Sequence, residues 1–385
     1  MTRARSLALA APLAALALGL ASCFRPVVPP AGAPAPPPAD DLRAATVKAA
    51  LAGVRAELAR NGGTWDAWIT ALGPYRTNLQ ARMSKLQRTR PHHIPECGFV
   101  LPSLDGLPLF EIDPHWNLQY VNNTEQTERF RKSRFVVAAD RWFKQRGVDL
   151  IFVPAPKMTE VYPDRFAAHC PPDRIVAPQI RRVIHDLLEA DVEVADPLLA
   201  LIAARAHETG PEYLYQPADT HWGPHGQAVA AKVVADRMQR YQFAMDARAA
   251  PPAFDVHEPP FLAFEHQPGL PGMPEDWVKI ARTAHPRVRL ELHPNKRTPD
   301  VNRSPVLLMG NSYGVGFHDH LCRELNLPVV YRCSGGQTLE TFVEMLRDPE
   351  LLRHVRVVVW VITNQAMWEF QQMPKPVLDA LNEKG

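Results

Sequence analysis

Two separated stretches carry residue types that together can do acyl chemistry. In Asp219-Thr220-His221-Trp222-Gly223-Pro224-His225-Gly226 a carboxylate, an imidazole and an indole stand just ahead of an apolar-periodic run, Ala228 to Met238. Pro224 suits the first helical position, where a missing N–H costs nothing. Asp219 and His221 therefore fall on a loop at a helix mouth, where their side chains can converge. A carboxylate beside an imidazole fixes its tautomer and stabilises the imidazolium, as a general base for a hydroxyl nucleophile requires. The nucleophile with the best context is Ser312, in Pro305-Val306-Leu307-Leu308-Met309-Gly310-Asn311-Ser312-Tyr313-Gly314-Val315-Gly316, which reads as a buried strand, a tight turn and a helix start. Such a serine presents its hydroxyl at the carboxyl end of a strand, where open α/β sheets place their sites. The plain alternative for Ser312 taken alone is a helix N-cap.

These residues need a scaffold, and the periodicity supplies one. Glu125 to Arg146 reads as a helix and Val148 to Pro154 as a buried strand. Ile175 to Glu189 reads as a helix, Val192 to Asp196 as a strand, and Leu198 to His207 and Pro224 to Tyr241 as helices. After an irregular proline-rich stretch, Pro251 to Pro299, come the Ser312 strand, a helix to about Leu325, a strand Pro328 to Arg332, a helix Leu339 to Leu346 and a strand Val355 to Ile362. Alternating strands and helices imply a mainly parallel sheet covered on both faces, a three-layer α/β/α class. The next two strand ends after Ser312 carry Gly336, in Cys333-Ser334-Gly335-Gly336, and Asn364, in Thr363-Asn364-Gln365. A glycine N–H and an asparagine amide there can join the Ser312 N–H to bind the oxyanion of an acyl-transfer intermediate. Upstream, Asp41 to about Gln87 reads as a helical cap or arm, with Val47, Leu51, Val54 and Leu58 at helical spacing, and Cys97 to Tyr120 as short strands or extended loop.

At the start of the chain Arg3 and Arg5 precede an apolar run, Leu7 to Ala21, that ends in Leu20-Ala21-Ser22-Cys23. The run is too short to span a bilayer, which takes roughly 20 residues, and its end matches a bacterial lipobox, so Cys23 is expected to become a lipidated N-terminus. Phe24 after that cysteine, rather than an aspartate, points to the outer membrane by the sorting logic of Gram-negative lipoproteins. Seven prolines between Phe24 and Ala39 make a tether reaching some 50 Å at roughly 3.1 Å per residue. The expected layout is a signal peptide over 1–22, a lipidated tether over 23–40, an N-terminal helical and irregular segment over 41–124 and the chemical domain over 125–385. Acidic and basic residues nearly cancel, 41 against 43, so no basic stripe argues for nucleic acid. Beyond Cys23 the cysteines are Cys97, Cys170, Cys322 and Cys333. None has zinc-site spacing; Cys97 and Cys170 both sit in loop-like surroundings and can pair, and Cys322 and Cys333 fit buried thiols as well as a bridge.

The order Ser, Gly, Asn at successive strand ends resembles the SGNH hydrolase superfamily. Asp219-x-His221 placed ahead of the serine, Asp-Thr-His-Trp itself and the downstream Gly-x-Ser-Tyr resemble the alginate O-acetyltransferase group (AlgJ and AlgX type), over about Phe130 to Glu369. Val153-Pro154-Ala155-Pro156-Lys157, Val161-Tyr162-Pro163 and Leu214-Tyr215 belong to the same likeness. Three features depart from it. Asn311 stands where the superfamily usually has Asp, Asn364 follows the broader superfamily pattern only, and the chain is expected to lack the carbohydrate-binding domain of the AlgX type.

The resemblance implies double displacement. Ser312 attacks an acyl donor with His221 as base and Asp219 orienting it, and a sugar hydroxyl then takes the acyl group. It implies a periplasmic enzyme that acetylates an exported polysaccharide, supplied with acetyl by a membrane-bound O-acyltransferase. No cofactor and no metal are expected. An esterase using the same residues and a non-catalytic glycan-binding export lipoprotein are the alternatives. Trp222, Lys157, Tyr313 and Arg332 are candidate substrate contacts. The plainer readings are a buried structural tryptophan for Trp222 and a solvated strand-end charge for Lys157. His225, four residues after His221, raises a zinc pair as an alternative that leaves Ser312, Gly336 and Asn364 unexplained.

Overall fold

The computed structural model describes residues 41–88, 93–94, 98–102, 108–111, 132–208, 214–215, 221–258, 260–261, 287–288, 290–333, 338–363 and 367. The segment 1–40, expected to hold a signal peptide, lipobox and tether, and Cys97, Asp219, Gly336 and Asn364 lie outside these residues. In chain order the elements are α1 (Asp41–Arg60), α2 (Trp65–Ala71), α3 (Gly73–Arg88), β1 (His93–Ile94), β2 (Gly98–Pro102), β3 (Pro108–Glu111), α4 (Lys132–Lys144), β4 (Asp149–Ala155), α5 (Met158–Val161), α6 (Pro163–Phe166), α7 (Pro178–Glu189), β5 (Glu193–Val194) and α8 (Leu198–Arg205). There follow α9 (Pro224–Met238), α10 (Gln242–Ala249), β6 (Phe254–His257), β7 (Pro260–Phe261), β8 (Arg287–Val288), β9 (Glu291–Pro294), β10 (Val306–Gly310), α11 (Phe317–Leu325), β11 (Val330–Cys333), α12 (Thr338–Arg347) and β12 (Val357–Thr363).

Five strands form the central sheet in the order β11-β10-β12-β4-β5, and each adjacent pair is parallel. β4, β10 and β12 are buried along their whole length, which is why they read as unbroken apolar runs. Alternate residues serve opposite faces. Ile151, Val153, Val306, Leu308, Val357, Val359 and Val361 meet α9 and α11 through Ala230, Val234, Phe317 and Leu321. Leu150, Phe152, Leu307, Met309, Val358, Trp360 and Ile362 meet α4, α7 and α12 through Phe135, Trp142, Ile184, Leu187 and Phe342. On that second face Phe342 stacks on Trp360 and Phe135 meets both edge-on, at centroid separations of 5.8, 5.3 and 5.6 Å.

The N-terminal helices share these cores. Val47 and Val54 of α1 belong to one, and Trp68, Leu72 and Tyr75 of α2 and α3 to the other. Arg181 of α7, buried, donates to both carboxylate oxygens of Glu57 of α1 at 2.7 and 2.9 Å and also to Asp196, clamping α1 against the body. Arg181 is held firmly charged; burial opposes this, and the carboxylates of Asp196 and Glu57 outweigh it. Among the described residues no helix is long and apolar enough to cross a membrane.

Several boundaries differ from the sequence expectation for identifiable reasons. α7 begins at Pro178, not Ile175, because the proline at the first turn keeps the preceding residue out of the helical region, with Ala177 at φ −119° and ψ 65°. The helix read from Pro224 to Tyr241 stops at Met238, and a separate α10 follows it. Tyr241 caps that junction, its hydroxyl donating to the buried Asp149 carboxylate. Within the stretch read as irregular, β6 pairs with β9 and β7 with β8, both antiparallel. β6 and β9 are largely exposed, so no alternating apolar signal marked them. The helix read from Glu125 is described from Lys132. Cys170, Cys322 and Cys333 are free thiols, so Cys322 and Cys333 do not form a bridge, and Cys97 lies outside the described residues.

Candidate active site

The sheet order decides what surrounds Ser312. β10 has β11 on one side and β12 on the other, with Gly310 level with Cys333 and with Val361. The segments that carry Gly336 and Asn364 thus leave the strands flanking Ser312. Gly310 has φ +152° and lies so close to the Val361 carbonyl that a Cβ there would overlap it. Only glycine lets the chain turn out of the sheet at this point. Asn311 then accepts a hydrogen bond from the Tyr313 N–H at 3.2 Å and donates its amide to Thr363 Oγ at 3.3 Å. Its buried side chain ties the turn to the end of β12. Ser312 to Gly314 form one 3-10 turn, and α11 starts at Phe317. Ser312 is therefore not the cap of that helix, which opens on Gly316.

His221 is brought to the turn by a short antiparallel bridge between Tyr215 and Trp222, reinforced by the Gly223 N–H donating to the Leu214 carbonyl at 2.7 Å. Gly226 lies against that same carbonyl with no room for a Cβ. The other strand of the bridge is anchored from behind. The Leu214 N–H donates to Glu208 at 2.9 Å and to the Tyr162 hydroxyl at 3.2 Å, while that hydroxyl donates to Glu208. Burial and the adjacent Glu208 carboxylate keep the Tyr162 hydroxyl protonated. The Tyr215 hydroxyl donates to the Pro156 carbonyl at 2.6 Å. The Pro-x-Lys and Tyr-Pro segments after β4 thus serve as the foundation of the histidine loop.

His221 Nε2 lies 2.8 Å from Ser312 Oγ, and both residues are partly exposed. For the hydroxyl to donate across this gap, the ring proton must sit on Nδ1, the nitrogen a carboxylate would orient. Tyr313 packs its ring 4.9 Å from the His221 ring, and its carbonyl accepts the Trp222 indole N–H at 3.0 Å. The neighbouring Cys333 thiol is pushed up to about 12 by burial, so it stays protonated and does not compete as a nucleophile.

The other anticipated contacts sort differently. Trp222 is fully buried and stacked on Phe317, so its indole supports the two loops and does not wall an open site. Lys157 is buried at the start of α5, its N–H held by Glu160 at 3.1 Å, which rules out a solvated strand-end charge. Arg332 is exposed on β11, and its guanidinium contacts the Tyr331 carbonyl at 3.4 Å. His221 Nε2 is turned to Ser312. Among the described residues no three His, Cys, Asp or Glu side chains are grouped to hold a metal ion. Sequence reasoning missed Gln227, whose amide Nε2 lies 3.4 Å from both the Trp222 and the Val315 carbonyl oxygens. It stands one residue ahead of the apolar run that begins at Ala228 and carries no signal of its own.

A five-stranded parallel sheet with serine and histidine at its carboxyl edge is the architecture of an SGNH-like acyl-transfer protein. The chain belongs to the family described as SGNH hydrolase-like domain, acetyltransferase AlgX, which it matches over residues 114–364. The O-acetyltransferase domain of Pseudomonas putida AlgJ superposes with a TM-score of 0.53 at 18% identity, covering 74% of this chain and 99% of its own, and carries the likeness in fold. Pseudomonas aeruginosa AlgX covers 73% of this chain and 66% of its own, at a TM-score of 0.49 and 16% identity. Bacillus cereus PatB1 covers 63% and 92%, at 0.40 and 10%. No curated protein matches the chain.

Proposed function

We propose that this protein is a periplasmic, lipid-anchored O-acetyltransferase that moves acetyl through an acyl-serine onto hydroxyls of an exported, alginate-like polysaccharide. The observation that carries this reading is the 2.8 Å approach of His221 Nε2 to Ser312 Oγ at the carboxyl edge of the sheet. Ser312 Oγ attacks the acyl carbon as its proton passes to His221 Nε2, with Asp219 orienting the imidazole. The oxyanion is held by the Ser312 N–H, the Gly336 N–H and the Asn364 amide. Collapse expels the donor's oxygen, which takes the proton from His221 and leaves acetyl-Ser312. An acceptor hydroxyl then gives its proton to His221, attacks the ester, and departs acetylated as Ser312 Oγ is reprotonated. Family membership supports acetyl as the group moved. Lipidation at Cys23 would hold the enzyme at the outer membrane, with acetyl supplied by a membrane-bound O-acyltransferase.

An esterase would use the same residues with water as acceptor, so the acceptor decides. The test incubates the protein with a chromogenic acetyl ester, with and without an oligosaccharide. Acetylated sugar appearing at the expense of free acetate is the expected result. Undiminished acetate release with no acetylated sugar would make the protein an esterase, and no ester turnover at all would leave a glycan-binding lipoprotein.

A further inference from the structure

We propose that Gln227 is a positioning residue that locks the histidine loop to the nucleophile turn, an inference that rests on the Ser312–His221 reading. Gln227 sits in the first turns of α9 with its side chain buried. Its Nε2 lies 3.4 Å from the Trp222 carbonyl and 3.4 Å from the Val315 carbonyl. Both partners are acceptors only, so the group between them must be the NH2 end of the amide, two hydrogens serving two oxygens. Trp222 immediately follows His221. Val315 closes the turn that begins at Ser312, its N–H donating to the Ser312 carbonyl at 3.1 Å. One carboxamide therefore bridges the segment that carries the base and the segment that carries the nucleophile.

The fit extends to the far side of the amide. Gly316 has φ +73°, and a Cβ there would sit 2.7 Å from both the nitrogen and the oxygen of the Gln227 amide. The amide thus lies directly against the backbone at Gly316, and only glycine leaves it that room. The rest of this α9 face is apolar, with Ala230, Ala231 and Val234 fully buried. A buried carboxamide in such company costs stability unless its hydrogen bonds are used. Here they are used on the two loops whose separation sets the Nε2 to Oγ distance. Displacing a reacting group by about 1 Å costs about a hundredfold in rate, so a brace at this junction acts on turnover without touching substrate.

The test compares the wild type with Gln227→Met, which keeps the shape and removes both donors, and with Gln227→Asn, one methylene too short to reach both carbonyls. The assays are steady-state hydrolysis of an acetyl ester, active-serine labelling by a sulfonyl fluoride, and circular dichroism to establish that each variant is folded. The expected result is a fall in kcat of about ten- to a hundredfold, with KM changed by less than about twofold and Ser312 labelling slowed in parallel. Q227N supplies the same comparison if Q227M does not fold. A folded variant with wild-type kcat and labelling rate, or one in which only KM rises, overturns the proposal while leaving the active-site reading intact. A folded wild type that neither turns over ester nor labels at Ser312 overturns the active-site reading, and this proposal with it.

Discussion

Trp222→Phe separates support of the site from bulk packing. The indole is fully buried, stacked with Phe317 at a centroid distance of 5.5 Å, and its N–H reaches the Tyr313 carbonyl at 3.0 Å. Phenylalanine keeps an aromatic face for Phe317 but cannot donate. The stranded Tyr313 carbonyl costs about 1–3 kcal/mol. The lost ring volume, roughly 40 Å³ at about 24 cal/mol per Å³, adds roughly 1 kcal/mol. Urea unfolding should therefore show a destabilisation of roughly 2–4 kcal/mol with an unchanged m value. Because Tyr313 directly follows Ser312, ester turnover by the fully folded variant should also fall about tenfold. A loss of stability below about 1 kcal/mol together with undiminished turnover would refute the claim that this hydrogen bond holds the two loops together.

Three further outcomes follow from the scaffold. Arg181→Met should leave Glu57 as an uncompensated buried carboxylate and Asp196 as a partly buried one and destabilise by about 3–5 kcal/mol, measured by denaturant unfolding; a neutral result would mean α1 is not clamped as described. Gly310→Ala forces a Cβ into the Val361 carbonyl at φ +152°, so it should yield little folded protein, or an unfolding free energy lowered by more than about 4 kcal/mol in urea titration. His320 is buried, and that burial, aided by Arg323 and opposed by Asp319, depresses its pKa to about 4. Its neutral form contributes stability that is complete above the unfolded value of about 6.5 and is lost as pH falls toward 4. His320→Gln should accordingly flatten the melting temperature between pH 6.5 and 4, and an unaltered slope would remove His320 as its cause.

The fold was legible because β4, β10 and β12 are buried on both faces and therefore unbroken in apolar character, and because Pro224 marks a helix start. The β6–β9 and β7–β8 pairs escaped for the opposite reason, since β6 and β9, whose faces are described, bury no continuous face. At the site, Ser312 and His221 were readable from their neighbours and the structure brings them together. Trp222 stood open between its two readings because composition does not tell an indole that lines a cleft from one that bonds a carbonyl beneath it, and the structure favours the buried structural one. Gln227 and the Asn311–Thr363 link were invisible, because each reaches a partner dozens of residues away.

The central claim is that Ser312 becomes acylated with His221 as its base. The direct measurement is mass spectrometry of the Ser312 peptide after rapid quenching of the protein with a chromogenic acetyl ester. The account predicts acetyl on Ser312 in the wild type, none in Ser312→Ala, and almost none in His221→Ala, with ester turnover following the same order. Turnover in the wild type with acetyl on another residue, or undiminished acetylation of Ser312 in His221→Ala, would contradict it.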